Sequence, residues 1–365
     1  MQKSMRALVK ATAAPGAELR EVPRPEPAAG EVLVRVKTAS ICGTDLHIYG
    51  WDRWAQSRIH PPLVFGHEFC GNIERLGPSV TGLSEGDFVS AEMHIACGHC
   101  FQCRTGEAHI CSDVRILGVD GPGCFAEYVV IPAGNIWRIA EGISPDYAAI
   151  LDPLGNAVHT VLAGAVAGRS VAVVGCGPIG LMAIAICCAA GASPIFAIEP
   201  HPERRRLAQA MGADAVFAAG EQEAEAAILA RTPGRGVDVG LEFSGHPNGV
   251  RSTLRLTRRG GRVSLLGIPG RPLEIDLARD VIFKGLTLQG INGRRMFETW
   301  YEMERLLLSG QLHLEPLFTD RLPMEQFEHG LDRLRQGLAA KILLYPHGME
   351  PAASASRTQA HALRD

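Results

Sequence analysis

What the sequence lacks narrows its class first. It has no surplus of one charge: 36 lysines and arginines stand against 39 aspartates and glutamates, for a formal net charge of −3. So balanced a chain carries no electrostatic case for nucleic acid or an anionic membrane as partner. It also has no unbroken apolar run of membrane-spanning length. Ser170 to Ile198 carries no charge, but Gly175, Gly177, Pro178, Gly180, Gly191 and Pro194 cut it into pieces too short to span. A buried strand–turn–helix–strand is expected there instead. The positively charged start, M-Q-K-S-M-R-A-L-V-K, has no apolar stretch behind it, so no secretion signal is expected. Nor is this the composition of a disordered chain, with 46% of residues hydrophobic and 21% charged. At 365 residues it is too long for one ordinary core, and two domains are expected.

What is present is cysteine, ten residues of it, and glycine, 41 residues. Without a secretion signal, the cysteines point to thiols and metal in a reducing cytoplasm rather than to a disulfide framework. The glycines point to tight turns and close backbone approaches. Residues 97–111 read C-G-H-C-F-Q-C-R-T-G-E-A-H-I-C. Cys97, Cys100, Cys103 and Cys111 are close enough in sequence to wrap a tetrahedral zinc in a closed site. An iron–sulfur cluster is the alternative that four cysteines also suit. Arg104, Gly106 and Glu107 make the stretch a polar loop rather than a core strand, and His99 and His109 within it are expected at the surface.

A second cluster lies earlier, with I-C-G-T-D-L-H at 41–47 and V-F-G-H-E-F at 64–69. Cys42, His67 and Glu68 offer a soft, a borderline and a hard ligand. Together they suit zinc in an open site with a position left for water or substrate. Thr44 and His47 are close by in sequence and able to carry a proton away. The alternative is a buried cysteine beside an unrelated surface pair. Zinc in such a site lowers the pKa of bound water from about 15.7 to about 7. Further on, D-P-L-G-N-A-V-H-T begins at Asp152, an acid either capping a helix or facing the metal.

From residue 168 the pattern changes. S-V-A-V-V at 170–174 is a continuous apolar strand of the kind a buried parallel sheet needs. G-C-G-P-I-G follows at 175–180, then a helix to about residue 190 and a strand, P-I-F-A-I, ending at Glu199. This is the dinucleotide fingerprint in its structural context. Gly175 serves the tight turn, Gly177 the approach to the pyrophosphate, Gly180 the packing of helix on strand, and Glu199 the adenosine ribose. A carboxylate there disfavours the extra phosphate of NADP. Arg204-Arg205-Arg206 is the feature that would favour it. Further strands at 215–217, 237–242, 262–266 and 286–290 alternate with helices at 221–231 and 247–257, giving a six-stranded, doubly wound sheet.

The chain before this is expected to be an all-β domain of small, irregular sheets. Its strands are expected at 6–11, 31–38, 69–76, 86–91, 124–131 and 136–139. P-R-P-E-P at 23–27 reads as a turn or extended linker, and the Cys42–Glu68 region has loop chemistry at Gly43 and at Pro61-Pro62. Met296, Trp300, Met303 and Leu307 recur at helical spacing, as the core face of a helix. K-I-L-L-Y at 341–345 is a last strand that could rejoin the first domain, and the tail from 347 is expected to be disordered.

These motifs together resemble the zinc-dependent medium-chain dehydrogenase/reductase superfamily. The phrases that carry the likeness are C-G-T-D-L-H-I-Y-G-W-D-R-W, G-H-E, D-P-L-G-N-A-V-H-T and R-R-M-F-E-T-W-Y, and it extends to about Tyr345. The resemblance implies an α/β protein. A GroES-like β catalytic domain (1–154 and 294–346) is interrupted by a Rossmann domain (155–293). It implies two zinc ions per chain, a catalytic one on Cys42, His67 and Glu68 and a structural one on Cys97, Cys100, Cys103 and Cys111. It implies NAD as cofactor, with Ile179, Glu199, Arg204, Leu266, Gly267, Ile268, Ile291 and Asn292 lining its site. The proton would leave by way of Thr44, the nicotinamide ribose and His47. Asp152, shorter than the glutamate of some relatives, would serve as relay or support rather than as ligand. The implied substrate is L-threonine, with a polyol such as sorbitol or butanediol as the alternative and a non-catalytic nicotinamide-binding protein as a second. Relatives of this kind imply a homotetramer.

Overall fold

The computed structural model describes residues 3–218 and 222–348, so the tail beyond 348 and the first residue expected in the 221–231 helix lie outside it. The first half is built on strands. β1 (Ser4–Lys10) and β2 (Glu18–Pro23) form a hairpin, and β4 (Leu63–Val64) adds to β1, where β3 (Glu31–Ser40) intervenes in the chain. β5 (Glu68–Leu76), β6 (Phe88–Ala91), β9 (Tyr128–Pro132) and β10 (Ile136–Arg138) join β3 in one sheet. β7 (His94–Ile95) and β8 (Arg115–Ile116) pair apart from it. The domain is therefore not a set of small sheets: a single seven-stranded sheet organises it. The run expected as a strand over 124–131 is ordered later, from Tyr128, because Cys124 and Phe125 are spent on backbone bonds to Gly66 and Phe65.

Helices interrupt this half at α1 (Gly43–Gly50), α2 (Arg53–Arg58), α3 (Phe101–Arg104), α4 (Pro145–Ala148) and α5 (Leu151–Leu162). Gly43, where loop chemistry is expected, instead opens α1, because Cys42 acts as N-cap and Asp45 closes the turn by accepting the Cys42 N–H at 2.8 Å. α5 runs unbroken through residues 154 and 155.

The second half is a six-stranded parallel sheet in the order β13-β12-β11-β14-β15-β16. Its strands are β11 (Val171–Val174), β12 (Ile195–Ile198), β13 (Ala215–Phe217), β14 (Val237–Glu242), β15 (Thr257–Leu265) and β16 (Thr287–Gly290). Between them run α6 (Pro178–Ala189), α7 (Pro202–Ala210), α8 (Gln222–Arg231) and α9 (Pro247–Leu256). β11 and β12 are buried at every position, which is why they read as continuous apolar runs.

After β16 the chain crosses back. α10 (Glu298–Leu308) follows, then β17 (Phe318–Pro323), α11 (Phe327–Arg335) and β18 (Lys341–Tyr345). β18 pairs antiparallel with β3, so the C-terminal strand lies in the sheet of the N-terminal half. Met296 is not on the helix expected there, since α10 begins at Glu298. Trp300 and Met303 are its buried face, and Leu307 is half-buried. Among the described residues no helix is long and apolar enough to cross a membrane.

Candidate active site

The two ligand sets fall at different places and differ in character. Cys42 stands at the N-cap of α1, while His67 and Glu68 lead into β5. One ligand atom from each lies within 4.8 Å of the others, and no further described side chain joins the cluster. His67 and Glu68 are buried and Cys42 is half-buried, so the group opens to one side. Glu68 Oε1 has no partner. Its other oxygen, Oε2, accepts from the Lys341 ammonium and the Ser40 hydroxyl. The carboxylate is thus held from behind and presents one bare oxygen. Burial alone would lower the His67 imidazole, but the Cys42 sulfur beside it reverses this and raises it to about 10. The pocket favours a positive charge at this point, as a metal site must. Asp45, fully buried, places Oδ1 at 4.0 Å from His67 Nδ1, too far for a hydrogen bond, so it acts on the ring through its charge.

The four-cysteine group is closed. The sulfurs of Cys97, Cys100, Cys103 and Cys111 lie within 4.8 Å of one another. Backbone N–H groups point at them: Cys100 N–H to Cys97 at 3.4 Å, Cys103 N–H to Cys100 at 3.5 Å, and the N–H groups of Cys97 and Asp113 to Cys111 at 3.3 Å each. Donors from Cys103 and Ser112 pull the Cys100 thiol down toward its charged form, while burial and the neighbouring sulfurs push Cys103 up, so without a cation the four share protons. Both donor sets therefore fit zinc.

Thr44 and His47 lie three residues apart on α1, on one face of the helix. Thr44 Oγ1 is 3.8 Å from Cys42 Sγ. His47 is exposed, its Nδ1 2.5 Å from Asp52 Oδ2 and its ring against Trp54. Asp152 lies in the first turn of α5, but it is paired with the fully buried Arg294 instead of standing free as a cap. Arg294 also binds Glu92, which accepts the Trp300 indole N–H at 3.0 Å and the His94 N–H at 2.9 Å. Asp152 is outside the metal cluster, one step behind it. His109 is not a surface residue: it is half-buried, edge-on to His159 with the ring centroids 5.6 Å apart, and burial lowers its pKa.

The dinucleotide fingerprint is laid out as its spacing demands. Gly175 sits at φ +89°, and a Cβ there would strike Ser244. Gly177, the N-cap of α6, has open space where a Cβ would be, the clearance a pyrophosphate needs. A Cβ on Gly180 would come within 2.0 Å of the Gly175 carbonyl, so glycine is what lets α6 lie against β11. Gly175, Gly177, Glu199 and Arg204 line a cavity of about 690 Å³ beyond the carboxyl ends of the strands. Glu199 is braced there by the N–H groups of Cys176 at 2.8 Å and His201 at 3.0 Å. Arg204 Nε is buried without a partner. Ile179, Leu266–Ile268 and Ile291–Asn292 are not among the cavity walls. The last two groups follow β15 and β16 at the same edge of the sheet.

Sequence reasoning missed the supporting residues Asp45, Lys341, Arg294 and Glu92. Asp45 had a signal, an acid fixed between Thr44 and His47, and Lys341 had a weaker one, a charge opening an apolar strand. Nothing local to Arg294 or Glu92 announces that they meet across 202 residues of sequence.

The sequence matches two domain families: the alcohol dehydrogenase GroES-like domain over residues 28–141 and the zinc-binding dehydrogenase domain over residues 178–309. It is 50% identical over 346 residues to an L-threonine 3-dehydrogenase of Bacillus licheniformis, covering 95% of this chain and 100% of that one. It is 47% identical over 344 residues to an L-threonine 3-dehydrogenase of Pyrococcus horikoshii, covering 94% and 99%. An Escherichia coli alcohol dehydrogenase solved with NADH superposes with a TM-score of 0.86 at 27% identity, covering 94% of this chain and 100% of its own.

Proposed function

Because the chain belongs to the zinc-binding dehydrogenases with a GroES-like domain, a family of zinc- and NAD-dependent oxidoreductases, we propose that it is an L-threonine 3-dehydrogenase. It oxidises L-threonine to L-2-amino-3-oxobutanoate. The observation that carries the chemistry is the bare Oε1 of Glu68 beside Cys42 and His67, an open three-ligand set on the same chain as a dinucleotide cleft. The choice of alcohol rests on the relatives, which match over nearly their whole length.

When bound, zinc polarises the alcohol so that its hydroxyl proton leaves more readily, and NAD⁺ takes the hydride from the carbon that bears it. The residues supply the rest. Lys341 and Ser40 fix Glu68 through Oε2, and the buried Asp45 sets a carboxylate near the His67 ring. Thr44 Oγ1, beside Cys42, is the first acceptor for the hydroxyl proton. His47 stands at the surface with its Nδ1 against Asp52, leaving Nε2 to hand the proton to water. Asp152, tied to Arg294, supports the cluster from outside it. Glu199 receives the adenosine ribose hydroxyls and disfavours a 2′-phosphate by charge, so NAD⁺ is preferred.

The protein acts in the cytoplasm as a homotetramer, built in part through the edge of the six-stranded sheet. Supporting this, Leu277, Ile282 and Phe283 are 55%, 67% and 70% exposed near edge strand β16. Initial rates of NADH formation on L-threonine, sorbitol and 2,3-butanediol test the assignment. L-Threonine should give the highest kcat/KM, by at least about tenfold; a polyol at the head of that series would make the protein a polyol dehydrogenase.

A further inference from the structure

A carboxylate that no step of this reaction uses lies under the cofactor cleft. Glu242 is the last residue of β14 and is fully buried. β14 and β12 flank β11 on opposite sides, so the strand order reverses here, the point at which open α/β sheets bind ligands. In register, Glu242 stands level with Val174 of β11 and Leu265 of β15, after which the loops at Gly175 and Leu266 depart. Its side chain is committed to the turn that follows it. Oε1 accepts from the Ser244 N–H at 2.9 Å and from the Ser244 hydroxyl, and Oε2 accepts from the Gly245 N–H at 3.2 Å. Its carbonyl accepts from Leu266 N–H at 3.0 Å and Gly267 N–H at 3.1 Å. One residue thus binds the 243–249 loop through its side chain and the 266–268 loop through its backbone.

These loops touch without clearance. A Cβ on Gly175 would stand 2.7 Å from the Ser244 nitrogen. One on Gly267 would stand 2.2 Å from the Gly245 nitrogen and 2.6 Å from Glu242 Oε2, and one on Gly249 2.2 Å from Ser244 Oγ. Phe243, Ser244 and Gly249 line the dinucleotide cavity, whereas Glu242 does not. With no side chain between the loops to absorb a shift, any movement of the Ser244–Gly245 turn moves the cavity wall and presses on Gly175.

We propose that Glu242 is a positioning residue of the dinucleotide cleft: its carboxylate seats the Ser244–Gly245 turn between Gly175 and Gly267 and so holds three cofactor-facing loops in register. A carboxylate suits the post because every group facing it is a donor and both its oxygens accept. An amide would set its own NH₂ against a backbone N–H. The inference rests on the dinucleotide reading of the cleft and is independent of which alcohol is oxidised.

Fluorescence titration of the zinc-loaded protein with NADH, without substrate, tests it. Glu242→Gln should weaken NADH binding about tenfold. KM for NAD⁺ should rise by more than kcat falls, with zinc content kept. An unchanged NADH Kd, whether or not the melting temperature falls, would overturn the proposal and leave Glu242 a stability residue. Should Glu242→Gln not fold, Ser244→Ala decides: loss of the hydroxyl that donates to Glu242 and accepts the His246 N–H should weaken NADH about threefold, and an unchanged Kd overturns the proposal. Failure of the unaltered protein to bind NADH would instead overturn the dinucleotide reading itself, and this inference with it.

Discussion

Glu68 and His47 show how a side chain's role depends on what stands behind it. Both oxygens of Glu68 are removed from water, yet Lys341 and Ser40 satisfy only one. Removing one partner of such a buried pair typically costs about 3–5 kcal/mol, because the remaining charge is stranded. Lys341 therefore belongs to the construction of the candidate site, holding Glu68 by Oε2 and leaving Oε1 bare. His47 is the reverse case, exposed, with its Nδ1 against Asp52. Burial pushes Asp52 upward, but the Ala55 N–H and the His47 ring outweigh it and hold Asp52 below the usual carboxylate range, so it stays charged beside the ring. His47→Ala should slow L-threonine oxidation by roughly 10²–10⁴-fold, the usual worth of an acid–base group. Added imidazole should restore part of the rate. A mutant with an unchanged pH–rate profile would make the histidine structural only. The Cys42–His67–Glu68 cluster was legible because cysteine, histidine and glutamate in adjacent short motifs have few joint uses. Asp45 and Lys341 were not singled out, because a supporting residue is defined by what it faces and not by what it is.

At the scale of elements, the sequence was most informative where burial was simplest. β11 and β12 are apolar at every position and were readable as buried parallel strands. β2 was not, since nearly all of its residues are exposed and no alternation marks it. α1 was hidden by a glycine at each end and by polar residues that serve the site, and its formation depends on the Cys42–Asp45 cap. α11 carried a sign that went unused, with Phe327, Leu331 and Leu334 buried at helical spacing. The four-cysteine lobe belongs to this scale, because its only regular structure is α3, β7, β8 and one short 3-10 turn. With so little core of its own, the lobe would fold around the metal that its four cysteines can hold. Cys100→Ser should lower the melting temperature and release about one zinc per chain, while the remaining folded protein keeps Cys42-dependent turnover at low temperature. A melting curve superimposable on the unaltered protein's would show that the lobe folds without its metal.

At the scale of the whole molecule, one buried network joins segments distant in the chain. Glu92 from the N-terminal half, Asp152 of α5, Arg294 after the parallel sheet and Trp300 of α10 meet near the Cys42, His67 and Glu68 cluster. Burial opposes the charge on Glu92, but Arg294 and the bonds from His94 and Trp300 prevail and hold it down at about 2. A carboxylate depressed in the folded state stabilises the fold above its ordinary range near 4.5, and that contribution is lost as pH falls toward about 2. Glu92→Gln should therefore be less stable than the parent at neutral pH. The gap should close by on the order of 3 kcal/mol in the acid limb. Parallel stability curves through that window would show that the pair carries no such linkage. No local pattern in the sequence could reveal this network, because its members are brought together only when both halves have folded.

The central claim is that an open metal site on Cys42, His67 and Glu68 carries out the oxidation, apart from a closed site that stabilises the fold. Zinc content measured together with L-threonine-dependent NADH formation in Cys42→Ser tests it most directly. The account predicts two zinc ions per chain in the unaltered protein, and in the variant one zinc ion, a retained fold and no turnover. A variant that holds both ions and still oxidises L-threonine at a near-native rate would contradict it.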